Sequence, residues 1–164
     1  MADILVFSRN RSIAIEQIDE EAVRASCRLQ DTLMDAYVEI MVKIPDLEIK
    51  SVNGKLYRSP KKEEIDIGET FKKVIGTRVG PGIKKIIKGF TGDSENEKQL
   101  AFMLEECCSG VILTFTKEQM KKAPKDILGE KDYFENSVRE NPRLYKSCAA
   151  LSPGSPLVEN IEFD

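Results

Sequence analysis

The chain has 164 residues, 41% of them hydrophobic and 32% charged, with a net charge of −3 and neither histidine nor tryptophan. A chain of this length buries roughly 70% of the surface its unfolded form exposes, so one core can hold it without disulfides or a structural metal. The missing histidines exclude His-assisted nucleophiles, His-ligated zinc or haem and an imidazole pH switch, and a pI near 5.3 excludes nucleic-acid binding spread over the whole surface.

Met1–Ser8 carries Asp3 where a secretion signal would be basic, and no run approaches the ~20 apolar residues that cross a bilayer. The expectation is a cytoplasmic protein with no membrane partner, whose four cysteines, at irregular spacings, stay reduced.

Ser12–Ile18 mixes Ile13, Ile15 and Ile18 with polar neighbours and runs into the acidic turn Asp19-Glu20-Glu21, which suits a strand. Ala22–Leu29 alternates cleanly, with Val23, Ala25, Cys27 and Leu29 on one face and Arg24, Ser26 and Arg28 on the other. Tyr37–Ile44 repeats that pattern before Pro45-Asp46 reverses the chain. Leu47–Arg58 reads as a fourth strand with Val52, Gly54 and Leu56 on one face. Asn53-Gly54 is also a hairpin signal, but its arms would be too short to bury much.

After Pro60 the period lengthens. Ile67, Phe71, Val74 and Ile75 predict a short helix within Lys61–Ile75 that stops at Gly76. Gly80-Pro81-Gly82 opens a second helix over Ile83–Phe90, striped by Ile83, Ile86, Ile87 and Phe90. Glu97 to about Lys122 is a long helix in which Gly110 and several β-branched residues predict a kink, and Glu130–Glu140 is a smaller one. Strands first and helices afterwards, with links too short for crossovers, predict an α+β fold: an N-terminal four-stranded antiparallel meander followed by helices on one face. The expected layout is a single domain over 1–152 and a surface tail over 153–164, because Pro153-Gly154-Ser155-Pro156 breaks the pattern.

This order of features, from Phe7-Ser8-Arg9-Asn10-Arg11 through Asp31-Thr32, Pro45–Ile49 and Tyr57-Arg58-Ser59-Pro60 to Ile75–Gly82, resembles the prokaryotic family called domain of unknown function 2889. The resemblance covers roughly residues 7–150 and is most specific at Gly76–Gly82. It implies the architecture and supplies no reaction. The Cys after the family's Pro and its Gly-Cys-Thr-His-Leu run are replaced here by Lys61-Lys62-Glu63-Glu64-Ile65 and Asn96-Glu97-Lys98-Gln99-Leu100.

Between Thr70 and Gly92 the charged residues are Lys72, Lys73, Arg78, Lys84, Lys85 and Lys88, with no acid among them. A glycine-bounded loop that feeds a helix start can offer backbone N–H groups to an anion, so Arg78, Gly80, Gly82, Lys84, Lys85 and Lys88 form the candidate ligand site, although Pro81 brings no N–H. Set against this, the glycines only shape a tight turn and the lysines solvate outer faces. Cys27, Cys107, Cys108 and Cys148 are either small core residues or the thiol set of a redox, metal or iron–sulfur protein. Glu105 and Glu106 would raise rather than lower a neighbouring thiol pKa. The carboxylate groups Asp19-Glu20-Glu21, Glu63-Glu64 and Glu105-Glu106 read as solvated surface, and Asp31 as a turn or cap residue. Arg9 and Arg11 either extend a basic patch with Arg24 and Arg28 or, as the better reading, pair with Asp19–Glu21 across a hairpin. The expectation is therefore a non-catalytic binding domain for a small anion or a protein partner, needing no cofactor. The alternatives are the thiol protein and a structural partner that dimerises through an apolar helix face.

Overall fold

The computed structural model describes residues 5–61, 65–146 and 148–161. The chain packs as two compact units, 1–114 and 115–164.

The first unit is built on an antiparallel meander of β1 (Arg9–Gln17), β2 (Ala22–Asp31), β3 (Asp35–Lys43) and β4 (Glu48–Arg58), in the spatial order β1-β2-β3-β4. Each reversal has its own chemistry. At the first, the Asp19 carboxylate accepts from the Glu21 N–H at 2.7 Å. At the second, Asp31 accepts from the N–H groups of Leu33 and Met34, an Asx turn that ties the backbone two and three residues on. At the third, Ile44-Pro45 is cis and Leu47 takes a φ of 54°.

Period-two alternation puts Val23, Ala25, Cys27 and Leu29 opposite Val42, Ile40, Val38 and Ala36, all buried. Complete burial of each Val, Leu or Ile side chain among them stabilises by roughly 1.5–3 kcal/mol relative to exposure. In β4 the register slips twice against β3, leaving Lys50 and Tyr57 as extra residues. The first bulge changes the parity of the strand, so that Ile49 and Val52, three apart, both face the core. Strict alternation shows Val52 but not Ile49. β4 runs straight through Asn53-Gly54, as expected. A Cβ at Gly54 would lie 2.4 Å from the Tyr37 carbonyl oxygen and 2.9 Å from Ile67 Cδ1, so the missing side chain lets the next helix sit on the strand.

That helix, α1 (Ile67–Phe71), is shorter than the predicted span. Asp66 caps it, accepting from the Glu69 N–H, and it tightens into a 3₁₀ turn at Lys72–Val74 before Gly76 at φ 84° ends it. α2 (Ile83–Phe90) follows with Gly82 as its N-cap. α3 (Glu95–Lys122) runs unbroken through Gly110. Gly110 has a different role: a Cβ there would meet Ile15 Cδ1 at 2.9 Å and Ile13 Cγ2 at 3.0 Å, so it lets α3 lie close to β1. Nearer the sheet centre, the Cys107 thiol donates to the Val38 carbonyl at 3.7 Å. Leu100, Met103, Leu104, Cys107 and Val111 form the buried stripe of α3.

The second unit holds α4 (Ile127–Glu140), capped by Asp126 and starting three residues before the predicted span, and three short 3₁₀ turns. Its core is Phe134, Val138, Leu151, Val158 and Ile161. Residues 153–161, expected as a surface tail, thus supply two core side chains. Asn160 also donates to the buried Glu135 carboxylate at 3.0 Å. The tail reading fails because Pro and Gly here form turns that return the chain onto α4.

Candidate functional site

The segment from Gly76 to Lys88 begins as an extra strand-like strip along β4. The Ile49 N–H donates to Thr77 O at 2.9 Å, Gly76 N–H to Ile49 O at 2.8 Å and Val79 N–H to Leu47 O at 2.8 Å, with an isolated bridge between Glu48 and Arg78. Buried Val79 anchors the strip. Gly82, at φ 88°, turns it into α2, where the N–H groups of Lys85 and Ile86 both donate to Gly82 O. Ile83 donates to Gly80 O at 3.2 Å.

This geometry changes what the candidate residues can do. The N–H groups of Gly76, Val79 and Ile83 are spent on backbone oxygens and Pro81 has none, so fewer backbone donors remain at the bend than its glycines suggest. Gly80 and Gly82 act as turn formers. Arg78 is drawn toward the third reversal, 3.6 Å from Asp46 Oδ1, with both side chains about half exposed. What faces solvent is a side-chain surface. Ile83 and Ile87 are buried, which turns Lys84, Lys85 and Lys88 outward on α2. Among the described residues none of these three lysines has an ion-pair partner, whereas Lys72 is bound to Glu69 at 2.6 Å. Lys73 lies 5.4 Å above the Phe90 ring, a pairing that the helical spacing of the two segments does not reveal because it joins different elements.

Four arginines of the first unit are committed elsewhere. Arg9 bonds to Asp31, Arg24 to Glu16 and Arg28 to Asp35, and Arg11 lies 3.6 Å from Glu106. The Arg9 and Arg11 pairing expected with Asp19–Glu21 is therefore replaced by other partners, because the β1-β2 register sets Arg9 opposite Asp31. A depression of about 380 Å³ lies beside the first reversal, lined among others by Asp19, Glu21, Lys43 and Lys50. Its charges balance, and none of Arg78–Lys88 lines it.

The thiols are packed away. Cys27, Cys107 and Cys108 are buried. Burial first, then the nearby Glu106 carboxylate, pushes the Cys27 thiol up to about 11; burial and then Glu105 push Cys108 up to about 12, and burial also raises Cys107. Cys148 is in the second unit. Among the described residues no three His, Cys, Asp or Glu side chains converge in a metal-binding group, and no helix is long and apolar enough to cross a membrane. Of the sequence candidates, Glu63 and Glu64 lie outside the described residues, as do Met1–Ile4. Glu105 is buried rather than solvated. No protein-family model, curated protein or solved structure matches the chain.

Proposed function

We propose that the chain is a non-catalytic binding domain whose α2 surface, led by Lys84, Lys85 and Lys88 and flanked by Lys73 and Arg78, takes an anionic partner. The observation that carries this reading is local charge without compensation. In a chain of net charge −3, three exposed lysines on one short helix have no carboxylate beside them, while Arg9, Arg24 and Arg28 do. The spread of the lysines favours the protein-partner branch over a small-anion nest: three ammonium groups distributed over an outer helix face suit an extended acidic segment better than one enclosed phosphate. Membership of the domain of unknown function 2889 family is part of the same proposal, supported by the bend at Gly76–Gly82 between two helices that follow a meander.

The test is a titration of the full chain with a polyglutamate peptide and, separately, with inorganic phosphate at low salt. Saturable binding of polyglutamate that weakens as salt shortens the Debye length to about 8 Å is expected, as is at least about a tenfold loss in Lys84→Glu plus Lys85→Glu. Binding unchanged in the double variant, or absent at low salt, refutes the assignment.

A further inference from the structure

A nine-residue strand stands at the edge of the first unit's sheet with β2 on one side and, among the described residues, no strand on the other. The direction of its free donors follows from the ladder. Ile18 N–H donates to Ala22 O, so the even-numbered residues of β1 exchange bonds with β2 and the odd-numbered N–H groups, those of Arg11, Ile13 and Ile15 among them, point away from it. Proteins blunt such an edge with proline, lysine, bulges or short length. β1 has no proline and no lysine, and its register with β2 is unbroken. β4, at the opposite edge, carries two bulges and the Thr77–Val79 strip.

We infer that β1 pairs antiparallel with β1 of a second copy of the chain, joining two sheets into one. The occupant follows from how charge is laid along the strand. Arg9 and Arg11 stand at its start, Glu16 at its end, and Asp19, Glu20 and Glu21 directly beyond. Antiparallel pairing about Ile13 sets the Arg9–Arg11 end of one copy beside the Asp19–Glu21 turn of the other, twice over: Arg9 falls opposite Gln17, while Glu16, opposite Asn10, keeps its own Arg24. Parallel pairing would set like against like. The flanks are apolar. Ile13 is 42% exposed and falls opposite itself, and Phe102 and Leu113 are exposed on α3 along the stripe that also holds Glu106, the neighbour of Arg11. Arg11 itself stacks over the Phe102 ring at 4.7 Å, which places that stripe beside β1. This surface shares no residue with the α2 lysines, so it stands or falls independently of them.

Sedimentation of the full chain, from micromolar to near-millimolar concentration, is combined with residue-resolved hydrogen exchange. The mass should double with concentration, and the Arg11, Ile13 and Ile15 amides should exchange slowly in the dimer and fast on dilution. Ala14→Lys, whose side chain is exposed and falls next to the dyad, should weaken the dimer by about tenfold or more while circular dichroism stays that of the folded chain. The exchange pattern needs no variant and so decides even if this one fails to fold. A monomer at every concentration overturns the inference, as does a dimer whose three amides exchange as freely as in the monomer. Slow exchange of those amides in a monomer overturns it too, because another segment of the same chain would then cover the edge.

Discussion

Replacing Asp31 removes the point at which three strands of the meander are tied. Its side chain is 0% exposed. It accepts from Leu33 N–H at 2.7 Å, Met34 N–H at 2.6 Å and the Arg9 guanidinium at 2.8 and 2.7 Å, while Arg58 donates to its backbone carbonyl at 2.5 Å. Asp31→Asn can keep one oxygen for the two backbone donors but must turn an NH2 toward Arg9. The Arg9 side chain is half exposed and can move to water, so the lost pair costs about 0.5–1 kcal/mol. Losing charge assistance on two short backbone bonds adds about 1–1.5 kcal/mol. The expected loss is about 2 kcal/mol for Asn and about 3–4 kcal/mol for Ala, which leaves the Met34 N–H without an acceptor.

The pH dependence has a definite sign. Burial pushes the Asp31 carboxyl up, but the Met34 N–H, the Arg9 guanidinium and the Leu33 N–H outweigh it, and the net pKa lies below the ordinary value. A carboxyl lowered in the folded state stabilises above its unfolded pKa of about 3.9, and that contribution disappears as pH falls through the folded value. Urea unfolding at a series of pH values should therefore show the wild-type and Asp31→Asn stabilities converging in acid. A gap that is the same at neutral pH and below the folded pKa, or an Ala variant costing under about 1 kcal/mol, would refute the account of Asp31 as the charged tie.

Two glycines at close approaches between elements should respond differently to alanine. Gly54→Ala drives a Cβ against the Tyr37 backbone oxygen and should cost about 2–3 kcal/mol, whereas Gly110→Ala meets side-chain carbons of Ile13 and Ile15 rather than backbone, gains about 1 kcal/mol of helix propensity that offsets part of the crowding, and should cost less, about 1 kcal/mol, in the same unfolding assay. In an aromatic-disulfide thiol assay on the native protein at neutral pH, Cys148 should react first and Cys27, Cys107 and Cys108 only on unfolding. Rapid reaction of a second thiol would revive the thiol-dependent reading.

The meander and the helices after it are legible because the signals are local: Val23 to Leu29 alternate, Gly76 and Gly82 mark the ends of helices, and Ile83 and Ile87 fix the face of α2. What is illegible depends on register between segments distant in the chain. Ile49 becomes a core residue only because a bulge at Lys50 shifts parity, and Arg9 finds Asp31 rather than Asp19 because of where β1 pairs with β2. Gly110 looks like a weak point in α3, yet its value lies in what β1 brings beside it.

The candidate site divides along the same line. Its lysines can be placed on the outer face of α2 from spacing alone, since burial of Ile83 and Ile87 leaves Lys84, Lys85 and Lys88 no other direction. Its backbone cannot, because a glycine-rich bend before a helix looks the same whether its N–H groups are free or spent. Here Leu47 and Ile49 consume two of them, through contacts about thirty residues away in sequence. A site with fewer backbone donors leans on long, separately solvated ammonium groups. Such groups hold a small anion weakly and a run of carboxylates by their sum, so the same hydrogen bonds that close the bend favour an extended acidic partner.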